Sequence, residues 1–438
     1  MSDMNRRAFL RRSTRITAAA AIGVTASGKA RADVNDTIRV GVIGVRGRGS
    51  SHISGFNNVK GVEVVALCDV DESILNDRSK KLAEGAAKYS DLRALLDDKS
   101  IDVVGIATPN HWHSLAGIWA CQAGKDVYVE KPCSHNIWEG RKLVDAARKY
   151  NRIVQHGTQI RSSEAVREGM QLLHDGVIGD VYLAKGTCYK RRNTIGRTPD
   201  EAAPKGVDYD LWLGPAPKRS FSRNRFHYKW HWHWAYGNGD VGNQGVHQMD
   251  LARWGLGVKF PSKIQAMGGH FLFDDDQETP NTLLTSFEYP GETEAKKKML
   301  VFEVRHWTSA PEFGQGQAGG NIVGVYFLGS DGVLVIPSYG SYQVYLGSKL
   351  EPGPGRQSGG DHFANFIDAV RKHDHTILNA DIEEGHVSSA LCHLGNIAYR
   401  TGKTIEFDSK NESFNGDRDA NVLLSRDYRS PFTVPSVV

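Results

Sequence analysis

The stretch that most constrains the fold is Thr37 to Gly49, TIRVGVIGVRGRG. Small and β-favouring residues, Ile38, Val40, Gly41, Val42 and Ile43, run straight into a glycine cluster, and Ser50, Ser51 and His52 then open a helical pattern. Strand, tight turn and helix start in that order form a dinucleotide-binding unit, in which backbone N–H groups at the helix N-terminus receive a pyrophosphate. The fingerprint G-x-G-x-x-G falls on Gly44, Arg46 and Gly49, so the middle glycine is absent and Gly47 stands one place later. The expected phosphate-binding turn is therefore Gly44, Arg46, Gly47, Arg48 and Gly49. The next strand, Val62 to Cys68, ends in Asp69, 20 residues beyond Gly49. An acid there accepts ribose hydroxyls and repels a 2′-phosphate, which favours NAD as cofactor over the alternative, NADP.

The 438 residues suffice for two domains with sizeable cores. Of the net charge of +4, residues 1–32 hold seven Lys/Arg and one Asp; without them 47 basic residues face 49 acidic ones, a net of −2. That balance gives no reason to expect a nucleic-acid or membrane partner. Residues 1–32 read as an export signal: Asn5-Arg6-Arg7-Ala8-Phe9-Leu10-Arg11 resembles the twin-arginine motif, the apolar run 16–26 follows, and Ala30-Arg31-Ala32 is an A-x-A cleavage site. Eleven apolar residues are too few to span a bilayer, so the expected mature protein is soluble and periplasmic. The periplasm offers no nucleotide pool, so NAD is expected to be tightly held and reoxidised in the same site. The five cysteines, Cys68, Cys121, Cys133, Cys188 and Cys392, form no C-x-x-C pair and read as small buried residues, and no metal is expected.

The fold class expected is an α/β Rossmann domain, a doubly wound parallel sheet over residues 35–159, followed by an α+β domain with a large open, mainly antiparallel sheet over 160–405 and an extended tail over 406–438. Asp71 to Lys88 and Asp91 to Leu96 read as helical, and Ile101 to Ala107 and Asp126 to Glu130 as apolar strands. After a helix at Ser162 to His174, strands follow without helices between them: Asp180–Tyr189, Lys263–Phe273, Thr282–Tyr289, Lys298–Trp307, Gly324–Leu328, Gly332–Ile336 and Tyr342–Leu346. Gly314 to Gly320 and Gly353 to Gly360 read as loops, and helices at His362–Lys372 and Ile382–Arg400 close the domain.

In an open parallel sheet, ligands sit beyond the carboxyl ends of the strands, which puts Thr108, Asn110, His113 and Glu130 at the crevice. Lys131 follows Glu130 there and is placed to exchange a proton with a substrate hydroxyl, the more so if burial lowers its pKa. The second dense cluster is Phe226 to Trp254, FHYKWHWHWAYGNGDVGNQGVHQMDLARW. Read as a strand, Trp230, Trp232 and Trp234 share one face and His231 and His233 the other; the tryptophans suit either sugar stacking or core packing. His227, His231 and His233 could gather on a metal, although the cluster lacks a thiolate. His247 and Asp250 are three apart on one helix face, an imidazole–carboxylate pair suited to acid/base work or simply a surface pair.

GVIGVRGRG, TPNHWH, AGKDVYVEKP and GNGDVGNQGVHQMDLARW, in that order and spacing, resemble the glucose-fructose oxidoreductase, inositol dehydrogenase and MocA (Gfo/Idh/MocA) family over residues 37 to about 405. The resemblance implies oxidation or reduction of a sugar or cyclitol with NAD(P), and a carbohydrate substrate. It implies Lys131 and His247 as catalytic residues, a cis bond before Pro132, and a homodimer or homotetramer packed through the open sheet. Dehydrogenase members carry an aspartate four residues before the histidine; here that position is Asn243, which cannot hold a proton at neutral pH. The leading reading is hydride transfer with Lys131 and His247 carrying the acid/base work, Asn243 and Asp250 beside them. A glycosidase or lyase that oxidises a hydroxyl transiently is the alternative, and a non-catalytic sugar-binding protein the third reading.

Overall fold

The computed structural model describes residues 37–82, 85–307, 312–313 and 320–438; the export-signal reading over 1–32 and most of the glycine loop at 314–320 lie outside them. The first sheet has six strands: β1 (Ile38–Ile43), β2 (Val62–Cys68), β3 (Ala87–Tyr89), β4 (Val103–Ile106), β5 (Asp126–Val129) and β6 (Val154–His156). All pair in parallel in the order β3-β2-β1-β4-β5-β6, the doubly wound arrangement. β3 lies inside a stretch whose sequence reads as helical. Asp71 caps the helix Glu72–Ser79 through the N–H groups of Ser73 and Ile74, the helix stops at Ser79, and Ala87–Tyr89 then pairs with Ala66–Cys68 at the sheet edge.

Both faces of this sheet are covered. One packs against the helices Leu92–Asp97, Asn110–Gln122 and Ile137–Lys149, joined by Phe432 and Val434 from the tail. The other packs against the helix Gly47–Asn57 and, from far along the chain, the helix His362–Lys372, whose Phe366 and Ile367 meet Val40, Val42 and Tyr128.

The second sheet has nine strands: β7 (Leu183–Tyr189), β8 (Lys263–Gly269), β9 (Thr282–Tyr289), β10 (Lys298–Arg305), β11 (Ile322–Leu328), β12 (Gly332–Ser338), β13 (Ser341–Leu346), β14 (Glu351–Gln357) and β15 (Ile405–Glu406). Their order is β14-β13-β12-β11-β7-β10-β9-β8-β15, and only β7 with β10 is parallel. Burial alternates along β9 because one face packs on the helices Glu164–His174, Val246–Leu256 and Ile382–Thr401 while the other is open. On the open face Met267 is 81% exposed, Leu284 47% and Met299 40%. β14, EPGPGRQ, falls in what reads as a glycine loop; as an edge strand it tolerates Pro352 and Pro354, which lack the N–H a central strand needs.

Between β7 and the helix Val246–Leu256 the chain returns to the first domain as a strap. Val207 bridges Asp71 in antiparallel fashion, the Glu72 N–H donates to Gly206 O at 2.9 Å, and the Asp208 N–H donates to Val70 O at 2.9 Å. Trp212, Phe221, Phe226 and Tyr236 give the strap a small core of its own. The alternating Trp/His stretch is not a strand: His227–Trp232 is a 3-10 helix inside this strap. Three residues per turn scatter the tryptophans, so Trp232 is buried against His306 while Trp230 stacks on the His231 ring at 3.6 Å.

Candidate active site

A cleft of about 520 Å³ opens between the carboxyl ends of β1, β4 and β5 and the strap. On the first wall, Gly44 takes φ +81°, and a Cβ there would stand 2.8 Å from the Ala107 carbonyl, so the turn requires glycine. A Cβ on Gly49 would lie 1.8 Å from Gly44 O. Gly49 thus holds the turn from beneath and does not line the cleft. Gly47 opens the helix Gly47–Asn57 and has nothing within 4 Å of its Cβ position, while Arg46 at the N-cap makes no side-chain cap bond and the first turn holds no acid. Uncapped N–H groups beneath an open glycine fit a pyrophosphate.

Asp69 lines the same wall; its oxygens accept the N–H groups of Val45 at 2.8 Å and Asp71 at 3.0 Å, and burial raises its pKa against those bonds. Thr108 Oγ1 is buried and unpartnered at the lining, an orphan that a bound ribose or amide group satisfies. Asn110 lines the cleft and donates Nδ2 to Asn238 Oδ1 at 3.1 Å, tying the two domains. The donors and open space on this wall fit NAD. His113 lines the cleft too, but its ring nitrogens face Pro132 O at 2.6 Å and Thr108 O at 2.7 Å, so it braces the wall with no polar atom left for a ligand.

Glu130 accepts from Arg48 Nε at 2.6 Å and pairs with His52 Nε2 at 3.1 Å. Burial opposes its ionisation, but the Arg48 charge prevails and holds the carboxyl well below its usual range. Lys131 Nζ donates to the Asn243 carbonyl, and burial pushes its pKa down to about 8 even though Glu130 pulls upward. Asn243 Nδ2 donates to Asp240 Oδ1 at 3.0 Å. Burial works against the Asp240 carboxylate, yet His306 and Arg192 keep it far below the carboxylate range.

The His247–Asp250 pairing expected from the sequence is corrected here, while His247 itself lies near enough to Lys131 to feel its charge. His247 is 3% exposed and, unlike Lys131 and Asn243, is not among the lining residues; its ring lies 5.2 Å from Tyr339 and its buried Nδ1 has no partner. The His247–Asp250 pair does not form. Asp250 instead accepts from Arg161 Nε at 2.7 Å, Arg161 Nη2 at 2.8 Å and Ser388 Oγ at 2.6 Å, a buried ion pair joining three helical segments.

His227, His231 and His233 do not gather either. His233 Nε2 bonds Asn224 O at 2.7 Å, His227 Nε2 lies 3.9 Å from Asp71, and His231 Nδ1 bonds Tyr228 O. His231 also lines the cleft, and burial together with the nearby Lys131 charge lowers its pKa to about 3, so the ring is neutral. Sequence spacing offered His231 only as a metal ligand; the 3-10 turn that aims it leaves no periodic signature.

A glycine cradle, a buried acid at the end of β2 and a part-buried lysine around one cleft form a dinucleotide-binding site of the doubly wound class. Residues 38–158 match an oxidoreductase family described by its NAD-binding Rossmann fold, and residues 166–267 and 326–434 match the C-terminal alpha/beta domain of the same family. The chain belongs to the Gfo/Idh/MocA oxidoreductase family. Among its relatives, a glycosyl hydrolase family 109 protein of Saccharopolyspora erythraea is 33% identical over 165 residues, 35% of each chain. Inositol 2-dehydrogenase of Salmonella typhimurium is 31% identical over 173 residues, 39% of this chain and 50% of that one. The chain thus spans half or less of these relatives' length. In fold it resembles the WlbA dehydrogenase of Bordetella pertussis, crystallised with NADH and UDP-GlcNAcA (TM-score 0.64, 19% identity, covering 85% of this chain and 98% of that one). A levoglucosan dehydrogenase complexed with NADH is similar too (TM-score 0.66, 17% identity, covering 85% and 99%).

Proposed function

We propose that the protein oxidises or reduces a secondary alcohol of a sugar, cyclitol or sugar derivative, with Lys131 as the group that exchanges the hydroxyl proton. The observation that carries this is the Lys131 amine, buried at the lip of the cleft beside the glycine cradle and brought down to about 8, where it both holds and releases a proton near neutrality. Bound NAD supplies the hydride acceptor. Gly47 and the helix behind it hold its phosphates, Asp69 its ribose, and Thr108 fills its hydrogen-bonding need from this wall. Asn243 orients the amine through its carbonyl and is itself pinned by Asp240. His231, whose pKa burial lowers to about 3, stays neutral and offers the substrate a hydrogen bond. A carbohydrate substrate is supported by the dehydrogenases that share the fold, which are complexed with levoglucosan or a UDP-sugar. The test is Lys131→Ala in protein purified with its nucleotide: turnover across a sugar panel, followed by nicotinamide absorbance, falls about 10² or more while bound nucleotide is retained.

A second reading has its own support. The strap closes over the cleft, with Phe226, His227, Tyr228 and Trp230 opposite the glycine cradle, which favours a nucleotide that stays bound and is recycled in place. A closed cycle suits a glycosidase or lyase that oxidises, eliminates and reduces, as the hydrolase relatives imply. Release of glycone with no net change in nicotinamide absorbance would establish it; accumulation of NADH would exclude it. The twin-arginine-like segment supports a periplasmic location, checked by fractionating cells that carry Arg6→Lys/Arg7→Lys. The apolar open face of the second sheet supports a dimer or tetramer, checked by light scattering.

A further inference from the structure

Past Asn243, behind the residues that line the cleft, lies a polar patch that the coenzyme wall does not need, near enough to Lys131 for the Lys190 charge to act on it. Its hub is Gln244, in the π-helical turn Val241–Gly245. Gln244 Oε1 accepts from Lys190 Nζ at 2.5 Å, and Nε2 donates to Tyr339 Oη at 2.7 Å and Gln248 Oε1 at 3.2 Å. Lys190 follows β7 and Tyr339 follows β12, so three segments converge here.

The charge balance of the patch is uneven. Neighbouring cations are each matched at close range: Arg192 by Asp240 at 2.6 Å, Arg48 by Glu130 at 2.6 Å, Lys185 by Glu303 at 3.1 Å. Lys131 and Lys190 are not. Among the described residues no carboxylate oxygen lies within 4.0 Å of either ammonium, and both are bonded only to neutral oxygens of the consecutive residues Asn243 and Gln244. Asp240, three residues earlier in the same turn, is taken up by Arg192 and by His306 Nε2 at 2.8 Å. The two ammonium groups, held by one turn, repel each other; Glu130 and Asp240 act on Lys131 from farther off, whereas among the described residues no carboxylate contacts Lys190, which leaves that ammonium the one suited to an anion. The nucleotide phosphates belong at Gly47 in the first domain, whereas Lys190 is carried by the second.

We propose that the substrate carries an anionic substituent, a carboxylate or a phosphate ester on the sugar, and that Lys190 receives it while the reacting carbinol faces Lys131. Lys190 is then the specificity-determining residue of the site, and Gln244 and Tyr339 hold it in place. As a compact point charge, lysine serves either anion. This inference rests on the oxidoreductase reading above.

The test uses the protein with its bound nucleotide and sets D-glucuronate, D-galacturonate and glucose 6-phosphate against D-glucose and D-galactose. Initial rates are followed by nicotinamide absorbance, and binding by tryptophan fluorescence, to which Trp230 in the cleft contributes. An acidic sugar is expected to show a KM at least tenfold below its neutral parent. Lys190→Gln raises that KM ten- to a hundredfold with a much smaller change in kcat, and Lys190→Arg recovers most of the loss. Which acids respond tells carboxylate from phosphate. Equal or lower KM for the neutral sugars, or a KM within twofold of wild type in Lys190→Gln, overturns the proposal and leaves the oxidoreductase reading standing. If no sugar changes the absorbance, the oxidoreductase reading fails by itself and the fluorescence titration decides. Saturable binding of an acid that Lys190→Gln abolishes upholds the anion site, and no saturation by any acid overturns it.

Discussion

The two walls of the cleft are built on opposite principles. The phosphate-binding part of the first wall is made of backbone: glycines whose missing side chains are the functional feature, and a helix end whose N–H groups are left uncapped. The wall from the second domain is made of side chains carried on short, irregular turns, a 3-10 helix at His227–Trp232 and a π-helical turn at Val241–Gly245. The first wall recognises a coenzyme that never changes, so regular geometry suffices. The second meets the substrate, and π-bulges and tight turns re-aim individual side chains without disturbing the sheet behind them.

That contrast can be broken at several points. The largest effect is expected from Lys131→Met, with turnover lower by about 10²–10³ and nucleotide still bound. The same change raises stability at pH 7 by on the order of 1–3 kcal/mol, because the folded state no longer buries an ammonium. The sign follows from the Lys131 pKa, which falls from 10.5 to about 8 on folding. Between those values the unfolded chain binds more protons, so wild-type stability rises with pH and the variant's advantage fades, as melting curves from pH 7 to 10 would record.

Gly49→Ala acts on the glycine turn of the same domain. Its new Cβ would fall 1.8 Å from a carbonyl oxygen, so the turn must move; we expect nucleotide to be lost on purification and about 2–3 kcal/mol of stability with it, read by absorbance ratio and denaturant melts. If nucleotide stays bound, the first wall is not the rigid backbone device described. Next in size is pH. Oxidation rates should rise about tenfold from pH 7 to a plateau above 8 as Lys131 loses its proton, and a flat profile would remove Lys131 as the base. Phe226→Ala loosens the strap core and should speed nucleotide release severalfold in a chase with free NAD, leaving the Lys131 pH midpoint unmoved. The smallest effect is expected from Arg46→Gly, which restores the missing glycine; Arg46 makes no cap bond, and nucleotide affinity should shift by no more than about threefold.

The unequal legibility of the two walls in the sequence has the same origin. Gly44, Asp69 and Lys131 were readable because a strand end, a left-handed turn and a fixed spacing leave no other arrangement. His231 and the Lys190–Gln244 contact were not, since 3-10 and π turns follow no period that a sequence displays. His247 and Asp250 misled for a related reason: three-residue spacing puts two side chains on one helix face but does not say which neighbour each will take, and Arg161 and Tyr339 come from distant segments. β14 was missed because proline and glycine read as loop wherever the strand's place at a sheet edge is unknown.

The helix His362–Lys372 closes one face of the first sheet, although more than 200 residues separate it from β6. The coenzyme-binding half is therefore synthesised long before the piece that completes one of its faces, and we expect that face to be only partly covered until this helix emerges. Stalled nascent chains ending before residue 360 should stay protease-sensitive across residues 37–159, and early protection of that region would rule this order out.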